Sequence, residues 1–515
     1  MRFRINSNQL LIILILIMAA AVRIFLINRD SVPFALDMGR DLLWAKDITF
    51  YKIPTLIGPA GSIWGVYFGP LWFYFLSIPL YLTSGNPLSA VYATASTIIL
   101  SGLLSYFLFK KYLKVLYAFL AAIMILFNST LINISTFAFH ANILPLLTLL
   151  MLYFTYLAII KNPAYIAIAF LSTSLMFHAD PAPAVVNTLV LLIIFVFFKL
   201  YRLKPMFKIP TYCAIAFLVP FIPQTVFEVR NNFIQTKSLI AYFIGQNPSL
   251  SGQLPPVARI VNRLSTFYDF YKVSFAGGND LFAKLSLLIV FFGIFMTFKK
   301  IAKEDQYQLF KLVILSIVSF FLIFTLVITV EVKNWYLYGL TVNIALLIVL
   351  VLYALNKYKM LTSAFLFGFL IVNLAPFISG QRSARAKSDP ATLSNQTWAI
   401  ERIYDDRPRS DFAAYVFTPS IYDYQYQYLF WWYGIEKKKG LPADFAYLPN
   451  QPDYVRNKEV YAPVTTQSNL IYLIIENSQE NEFYTRESWL KNFQNYKLVW
   501  QENINNAIYI QKRIK

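Results

Sequence analysis

Cysteine and histidine are nearly missing from this sequence. Its 515 residues include one cysteine, Cys213, and two histidines, His140 and His178. A single cysteine excludes an intrachain disulfide and any cysteine-based metal site. Two histidines cannot by themselves form a zinc site. Charge is scarce too, at 14% of residues, against roughly 25% in soluble domains, which rules out an ordinary soluble protein. No internal repeat and no low-complexity tract is visible, so solenoid and compositionally biased architectures are set aside.

What the sequence has instead is apolar surface. Hydrophobic residues make up 58% of the chain and aromatic residues 18%, the composition of a polytopic membrane protein. The net charge of +19 raises nucleic acid as a partner. Most Lys and Arg of the first 360 residues, however, fall in short clusters between apolar runs. That is the pattern of cytoplasmic loops facing anionic lipid, so no nucleic-acid partner is expected. Arg2 and Arg4 followed by Leu10–Ile27, with Ala19–Ala21 near the end, imitate a signal peptide. The apolar run is long enough to span a bilayer and is read as a retained first helix.

Twelve apolar segments lie near 8–28, 68–83, 87–109, 115–132, 141–160, 163–177, 183–200, 209–227, 281–298, 309–330, 336–355 and 361–378. A bilayer core needs about 20 helical residues. Segment 68–83 is short, and Pro70 and Pro79 interrupt it. Charge decides its place. If it does not span, then Arg2/Arg4, Lys110/Lys111/Lys114, Lys161, Lys199/Arg202/Lys204/Lys208, Lys299/Lys300/Lys303 and Lys357/Lys359 all share one side. The opposite connections 133–140 and 178–182 carry no Lys or Arg, as the positive-inside rule requires. The expectation is therefore a multi-pass cell-membrane protein with eleven transmembrane helices and a cytoplasmic N-terminus. Segment 68–83 is expected to lie on the outer surface.

Residues 1–379 then form the membrane module, with outer loops at 29–86 and 228–280. Composition changes after Ser379. Apolar alternation marks strands at 414–419, 469–477, 496–502 and 507–512, with helical stretches near 394–404 and 485–494. The expected fold is thus a polytopic α-helical membrane protein with a small extracytoplasmic α/β domain at 380–515.

Ionisable residues gather at the outer end of this bundle. The stretch after the first helix holds Asp30, Asp37, Asp41 and Asp47 among Arg29, Arg40, Lys46 and Lys52. The other outer connections contribute His140 and Asn142, His178 and Asp180, Glu228 and Arg230, and Glu331, Lys333, Trp335 and Tyr336. Polar groups at a membrane boundary are costly unless they face a cavity or a partner. Each also has a structural reading: Asp37 as a helix N-cap, Asp41 paired with Arg40 or Lys46, Asp180 as a turn or cap residue, Arg230 as a helix-end anchor, Lys333 snorkelling. The aromatic run at 424–433 reads as packing surface before it reads as a sugar platform. Carboxylates able to deprotonate a hydroxyl, together with cations able to hold a phosphate, suit a reaction on a lipid-linked phosphate. A divalent cation, Mg²⁺ or Mn²⁺, is compatible with the outer carboxylates, but no ligand spacing is diagnostic and the metal is left unassigned.

One long helix, an outer loop with an early Asp, and FGPLWFYF (68–75) together resemble the GT-C membrane glycosyltransferases. The protein O-mannosyltransferases and lipid A aminoarabinose transferases are the nearest branches. The resemblance implies two juxtamembrane helices, at about 38–50 and 68–83, and a catalytic role for Asp37, with Asp41 one helical turn later. Phe68 and Gly69 stand where the family has Lys or His before its (K/H)PPLxYY stretch, and His140-Ala141-Asn142 stands where it often has a second Asp. His178 matches a basic position after helix five, and Lys333-Asn334-Trp335-Tyr336 resembles a segment facing the donor phosphate. FEVRNNF (227–233) resembles a sequence of bacterial members.

The sequence-level expectation is an inverting transferase that takes a sugar from a polyprenyl-phosphate donor to a protein, lipid or glycan acceptor on the outer face. Asp37 and Asp41 are the catalytic residues. His140, Asn142, His178, Asp180, Glu228, Arg230, Lys333 and Tyr336 bind substrate. The competing readings are a lipid-linked-sugar transporter or flippase, which would place ionisable groups near the bilayer midplane, and a non-catalytic envelope assembly factor displaying the C-terminal domain.

Overall fold

The computed structural model describes residues 6–29, 32–202, 208–244, 255–300, 304–328, 331–379, 387–406, 412–449, 451, 468–480 and 482–515. Arg2, Arg4, Asp30, Lys204, Lys303, residues 245–254 and the start of the 380–515 region lie outside them. The chain begins with α1 (Ser7–Ile27), whose first turn is closed by a reciprocal pair: Asn6 Oδ1 accepts from the Gln9 amide, and Gln9 Oε1 accepts from the Asn6 amide. Two helices follow, α2 (Leu36–Phe50) and α3 (Leu71–Leu82). They pack with Trp44 stacked on Phe73 at 5.8 Å between centroids and with Trp72 fully buried.

Seven helices among the described residues are long and apolar enough to cross a membrane, or eight if the bent pair Val115–Leu126 and Ser129–Thr136 is one span. Shorter apolar helices occupy Leu71–Leu82, Pro163–Met176, Pro181–Phe197 and Leu340–Ala354. The chain is therefore a multi-pass helical protein with several apolar spans.

The segment read from sequence as one span at 115–132 is broken, with a bend of 53°. Asn128 caps the second half by accepting from the Leu131 amide at 3.1 Å. The break frees the Leu126 carbonyl from the helical ladder, and Arg23 of α1 fills the gap. Its Nη2 donates to Leu126 O and its Nε to Ser135 Oγ, both at 3.0 Å, with the side chain 1% exposed. A kink needs such a local substitute for lost backbone bonds. The lone arginine inside an apolar run was the sequence signal for it.

The C-terminal region holds a five-stranded sheet, β1 (Ala413–Phe417), β2 (Asp444–Ala446), β3 (Leu470–Glu476), β4 (Lys497–Ile504) and β5 (Ile508–Ile514). Its order is β2-β1-β3-β5-β4, parallel across β2-β1-β3 and antiparallel across β3-β5-β4. Strands thus lie where apolar alternation placed four of them. β2 is only three residues long and was not foreseen. β4 and β5 turn through Asn505 and Asn506, both left-handed (φ 52° and 56°), as a tight hairpin turn demands. Ala414, Val416, Tyr472 and Ile474 face the helices Leu393–Asp406 and Tyr424–Trp431. Ala413, Tyr415, Phe417, Ile471, Leu473 and Ile475 face Trp489 and Phe493.

This region clasps α2. The strand-like segment 32–34 pairs with 391–393, through Phe34 N–H to Ala391 O at 2.8 Å and Leu393 N–H to Val32 O at 2.9 Å. The 424–431 helix runs alongside α2. Tyr428 meets Phe34 at 6.2 Å between centroids, and Trp431 Nε1 donates to Tyr51 Oη at 3.0 Å. Tyr428 Oη also donates to Gly85 O at 2.6 Å. The aromatic run is packing surface, as its composition implied. The 424–431 helix comes close to α2 at Gly39, where an added Cβ would lie 2.4 Å from Gln425 N. Gly39→Val should therefore lower stability by about 1–3 kcal/mol, the usual cost of overpacking. The check is a thermal melt of the solubilised full chain; an unchanged melting temperature would contradict the clasp.

Candidate active site

Asp37 and Asp41 sit one turn apart on α2, so they share a face. Asp37 lies in the first turn, where a carboxylate complements the helix dipole. It is not the N-cap. Ala35 holds that position, with no side-chain cap bond. Arg40 lies between the two carboxylates. Its Nη1 reaches Asp37 Oδ1 at 2.9 Å, while Nε and Nη2 both reach Asp41 Oδ1, at 2.9 and 2.8 Å. The other Asp41 oxygen accepts from Trp72 Nε1 at 2.8 Å. The Asp37 side chain is 52% exposed and that of Asp41 1%. Burial pushes the Asp41 carboxyl up to about 6, against the pull of Arg40 and Trp72. Arg40 is held above its ordinary value because Asp41 and Asp37 outweigh its own burial. Further along α2, Lys46 and Asp47 form a second, inward-facing ion pair.

The histidines pack against this cluster. His140 stacks near Phe139 at 4.0 Å and meets Phe68 edge-on at 4.9 Å between centroids. Burial, with the charge of Arg40, pushes it down to about 3, so it is a neutral ring. Its Nδ1 makes no hydrogen bond within the protein. His178 is also buried, and burial pushes it down to about 4. Its Nδ1 accepts from the Leu71 amide at 3.3 Å, and the ring fills the space a side chain at position 69 would need, 2.0 Å from an added Cβ. The missing side chain at Gly69 thus makes room for His178. The expected phosphate-holding duty of His178 meets a neutral ring that braces the 69–71 corner.

Asp180 caps the 181–197 helix through Ala182 N–H at 3.1 Å and accepts from Trp335 Nε1, also at 3.1 Å. Burial pushes it up to about 7. Trp335 meets Phe139 at 5.8 Å and Tyr336 at 5.8 Å. One chain of contacts therefore runs from His140 through Phe139 and Trp335 to Asp180 and Tyr336, and the charge of Arg40, which holds Asp37, reaches its His140 end. Asn142 braces this corner by donating to the Ile134 and Phe137 carbonyls, both at 2.9 Å. Lys333 pairs with Glu331 at 2.5 Å on the exposed rim.

Glu228 and Arg230 belong to a neighbouring corner. Glu228 accepts from Gln235 N, Thr236 N and Thr236 Oγ1 at 2.6–2.9 Å, capping the Ile234–Phe243 helix. That geometry gives Glu228 a structural duty in place of the substrate contact expected of it. Arg230 is exposed at the preceding helix end. Asn232 and Phe233 are both left-handed, φ 53° and 58°, a strained arrangement for side-chain-bearing residues. Beside them lies a cavity of about 470 Å³ walled by Trp64, Asn231, Asn232 and Lys237. Alternation along an extended segment separates this corner from the Asp37 cluster: Tyr67 meets Phe227, and Phe68 meets His140. Among the described residues no three His, Cys, Asp or Glu side chains come together as metal ligands.

Sequence reasoning missed Trp72, which holds the buried Asp41, and named Trp335 without pairing it with Asp180. It also gave Arg40 no role beyond a surface pair. Nothing in local spacing marks a partner 31 residues away.

The pH response follows from Asp180. The folded chain keeps its proton up to about pH 7, whereas the ordinary carboxyl releases it near 3.8. The folded state binds more protons in that window, so this group's contribution to stability falls as pH rises from about 4 to about 7. Asp180→Asn should lose the Trp335 bond, costing about 1 kcal/mol, and should reduce the decline between about pH 6 and 7 to the part supplied by Glu476, which burial also pushes up to about 7. Melting curves across that range check it; a parallel decline in the variant would contradict it.

No protein-family model matches the sequence, and no curated protein sequence matches it. Solved structures do match. ArnT from Cupriavidus metallidurans, bound to undecaprenyl phosphate, aligns with a TM-score of 0.60 over 98% of each chain at 10% identity. Its apo form aligns at 0.60 over 97% of each chain at 9% identity. The Archaeoglobus fulgidus oligosaccharyltransferase aligns at 0.44, over 90% of this chain and 67% of that one, at 14% identity. Along essentially its whole length, this chain has the fold of ArnT.

Proposed function

We propose that this chain is a membrane glycosyltransferase that moves a sugar from a polyprenyl-phosphate carrier to an acceptor on the outer face. The observation that carries the reading is the Asp37–Arg40–Asp41 constellation at one end of an ArnT-like bundle. An exposed carboxylate is fixed there beside a buried one. The ArnT of that comparison binds undecaprenyl phosphate, which supports a lipid-linked donor here. The orientation that fits is a cytoplasmic N-terminus and eleven spans, with 1–379 as the membrane module and 380–515 outside.

In the step we infer, Asp37 takes the proton of the acceptor hydroxyl. The acceptor oxygen forms a bond to sugar C1 while the C1–O bond to phosphate breaks. The electron pair leaves on polyprenyl phosphate, and the anomeric centre inverts. Arg40 holds Asp37 at the mouth and keeps Asp41 in place behind it. Asp41 sets the charge around Arg40 and does not reach substrate, since both its oxygens are engaged inside. Lys333 and Arg230 are the rim cations for the phosphate. The cavity beside Arg230, with Lys237 on its wall, adjoins helix faces that expose Val229, Phe233 and Ile240, a setting suited to a lipid carrier. Asn142, Asp180 and Tyr336 shape the wall between His140 and the rim. Asp41 is not available to a divalent cation, because Arg40 and Trp72 already occupy it, and no step is routed through one.

A transporter or flippase would place ionisable groups near the bilayer midplane. The groups assembled here lie at helix ends and in connections instead. The test is polyprenyl-phosphate release from a panel of lipid-linked sugars, by purified protein in lipid with envelope extract as the acceptor source. Asp37→Asn should fold as wild type does and release carrier about 10²–10⁴-fold more slowly, the usual weight of a general base. An equal rate in the variant would remove Asp37 from the mechanism. Folded wild type that releases no carrier from any donor would favour transport or assembly.

A further inference from the structure

The C-terminal sheet has a topological switch point that no step above uses. From β1 the chain passes through the 424–431 helix to β2, on the sheet face carrying Ala414 and Val416. From β3 it passes to the Arg486–Leu490 helix, whose Trp489 packs on the other face, against Phe417 and Ile475. Connections that leave two adjacent parallel strands toward opposite faces open a crevice at the strands' carboxyl ends. Ligands of open α/β sheets bind in such crevices.

The residues there are unusual in three ways. The loop after β1 carries Ile421 at φ 68°, a costly conformation for a β-branched residue and one that clusters at functional sites. Tyr422 and Tyr424 follow, their rings parallel within 1° and 5.6 Å apart, with Tyr422 51% exposed. The segments at this edge also carry buried polar atoms without hydrogen-bond partners in the protein. They are Gln425 Oε1, on a side chain 4% exposed, Tyr484 Oη and Ser478 Oγ. Tyr484 stacks on Phe417 at the end of β1 and senses Asp423. Glu476, ending β3, accepts from Tyr426 Oη at 3.0 Å and from Gln425. Buried polar atoms without partners are rare in folded proteins and mark a place where a ligand or solvent completes the bonding.

The crevice adjoins the candidate active site. Gln425 is the residue pressed against Gly39 of α2, and Tyr424 is close enough to add to the field at Arg40. We propose that this crevice binds the acceptor, and that the acceptor group it takes is a neutral saccharide. This rests on the transferase reading above. An exposed aromatic platform covers the C–H face of a sugar ring. The amide of Gln425, the hydroxyls of Ser478 and Tyr484 and the carboxyl groups of Asp423 and Glu476 suit its hydroxyls. The two carboxyl groups oppose an anionic ligand. A saccharide seated there presents a hydroxyl toward the N-terminal turn of α2, where Asp37 stands.

Saturation-transfer-difference NMR on the full chain in lipid nanodiscs tests this without donor or turnover. The probes are methyl β-glucopyranoside, methyl β-galactopyranoside, methyl α-mannopyranoside and an N-acetylated threonine tripeptide. The expected result is saturation of ring C–H protons of at least one glycoside, retained in Tyr422→Phe and weakened about tenfold in Tyr422→Ala and in Gln425→Leu. Tyr422 is half exposed, so its removal leaves the core intact. No saturation of any glycoside overturns the proposal, as does saturation that both Tyr422→Ala and Gln425→Leu leave unchanged, or saturation of the peptide alone. Carrier release is measured separately, so loss of glycoside binding with release intact would reject this site while sparing the transferase reading. Binding without release would do the reverse.

Discussion

The Arg40 guanidinium carries three hydrogen-bonded contacts to two carboxylates, and the arrangement of the candidate site around α2 depends on it. Asp41 is buried, and a buried carboxylate is tolerated only where its charge is matched by good geometry. Arg40 supplies that match through two donors on one oxygen, and Trp72 supplies the other oxygen's donor. The same guanidinium then has one nitrogen left for Asp37. A planar fork can divide its donors in this way, whereas a lysine ammonium cannot hold two carboxylates in fixed directions. Asp37 is thereby presented to the outside in one orientation. His140 is kept neutral partly by the same charge.

Around that centre the chain is arranged to hold α2 still. From one side α3 contributes Trp72, and from the other the C-terminal region lays its 424–431 helix against Gly39, Phe34 and Tyr51. The backbone just before α2 is pinned by pairing with 391–393. The C-terminal region, set apart in sequence by its composition, is thus joined to α2 in space. It is a support for the helix that bears the acidic residues, and its sheet edge opens beside them. The His178–Gly69 contact has the same logic on the opposite flank, where a missing side chain lets a ring brace the start of α3.

Much of this was legible in the sequence wherever one segment decides its own structure. Long apolar runs located the helices that are apolar enough to span. Alternation located β1, β3, β4 and β5. What was not legible depends on partners distant in sequence. Asp41 reads as a surface acid until Trp72 is seen beside it. Glu228 reads as an ionisable residue facing a substrate until two left-handed residues, Asn232 and Phe233, fold the next helix back onto it. His178 reads as a cation until its burial and its bond to the Leu71 amide are known. The break at residues 127–128 was hidden because both halves are equally apolar, although Arg23, inside the first span, was visible throughout.

The most direct test of the account is a structure of the full chain in lipid with undecaprenyl phosphate bound. The account predicts the phosphate at the outer end of the bundle, between Arg230 and Lys333, on the side of α2 that presents Asp37. A phosphate held at the opposite end of the bundle, away from α2, would contradict it.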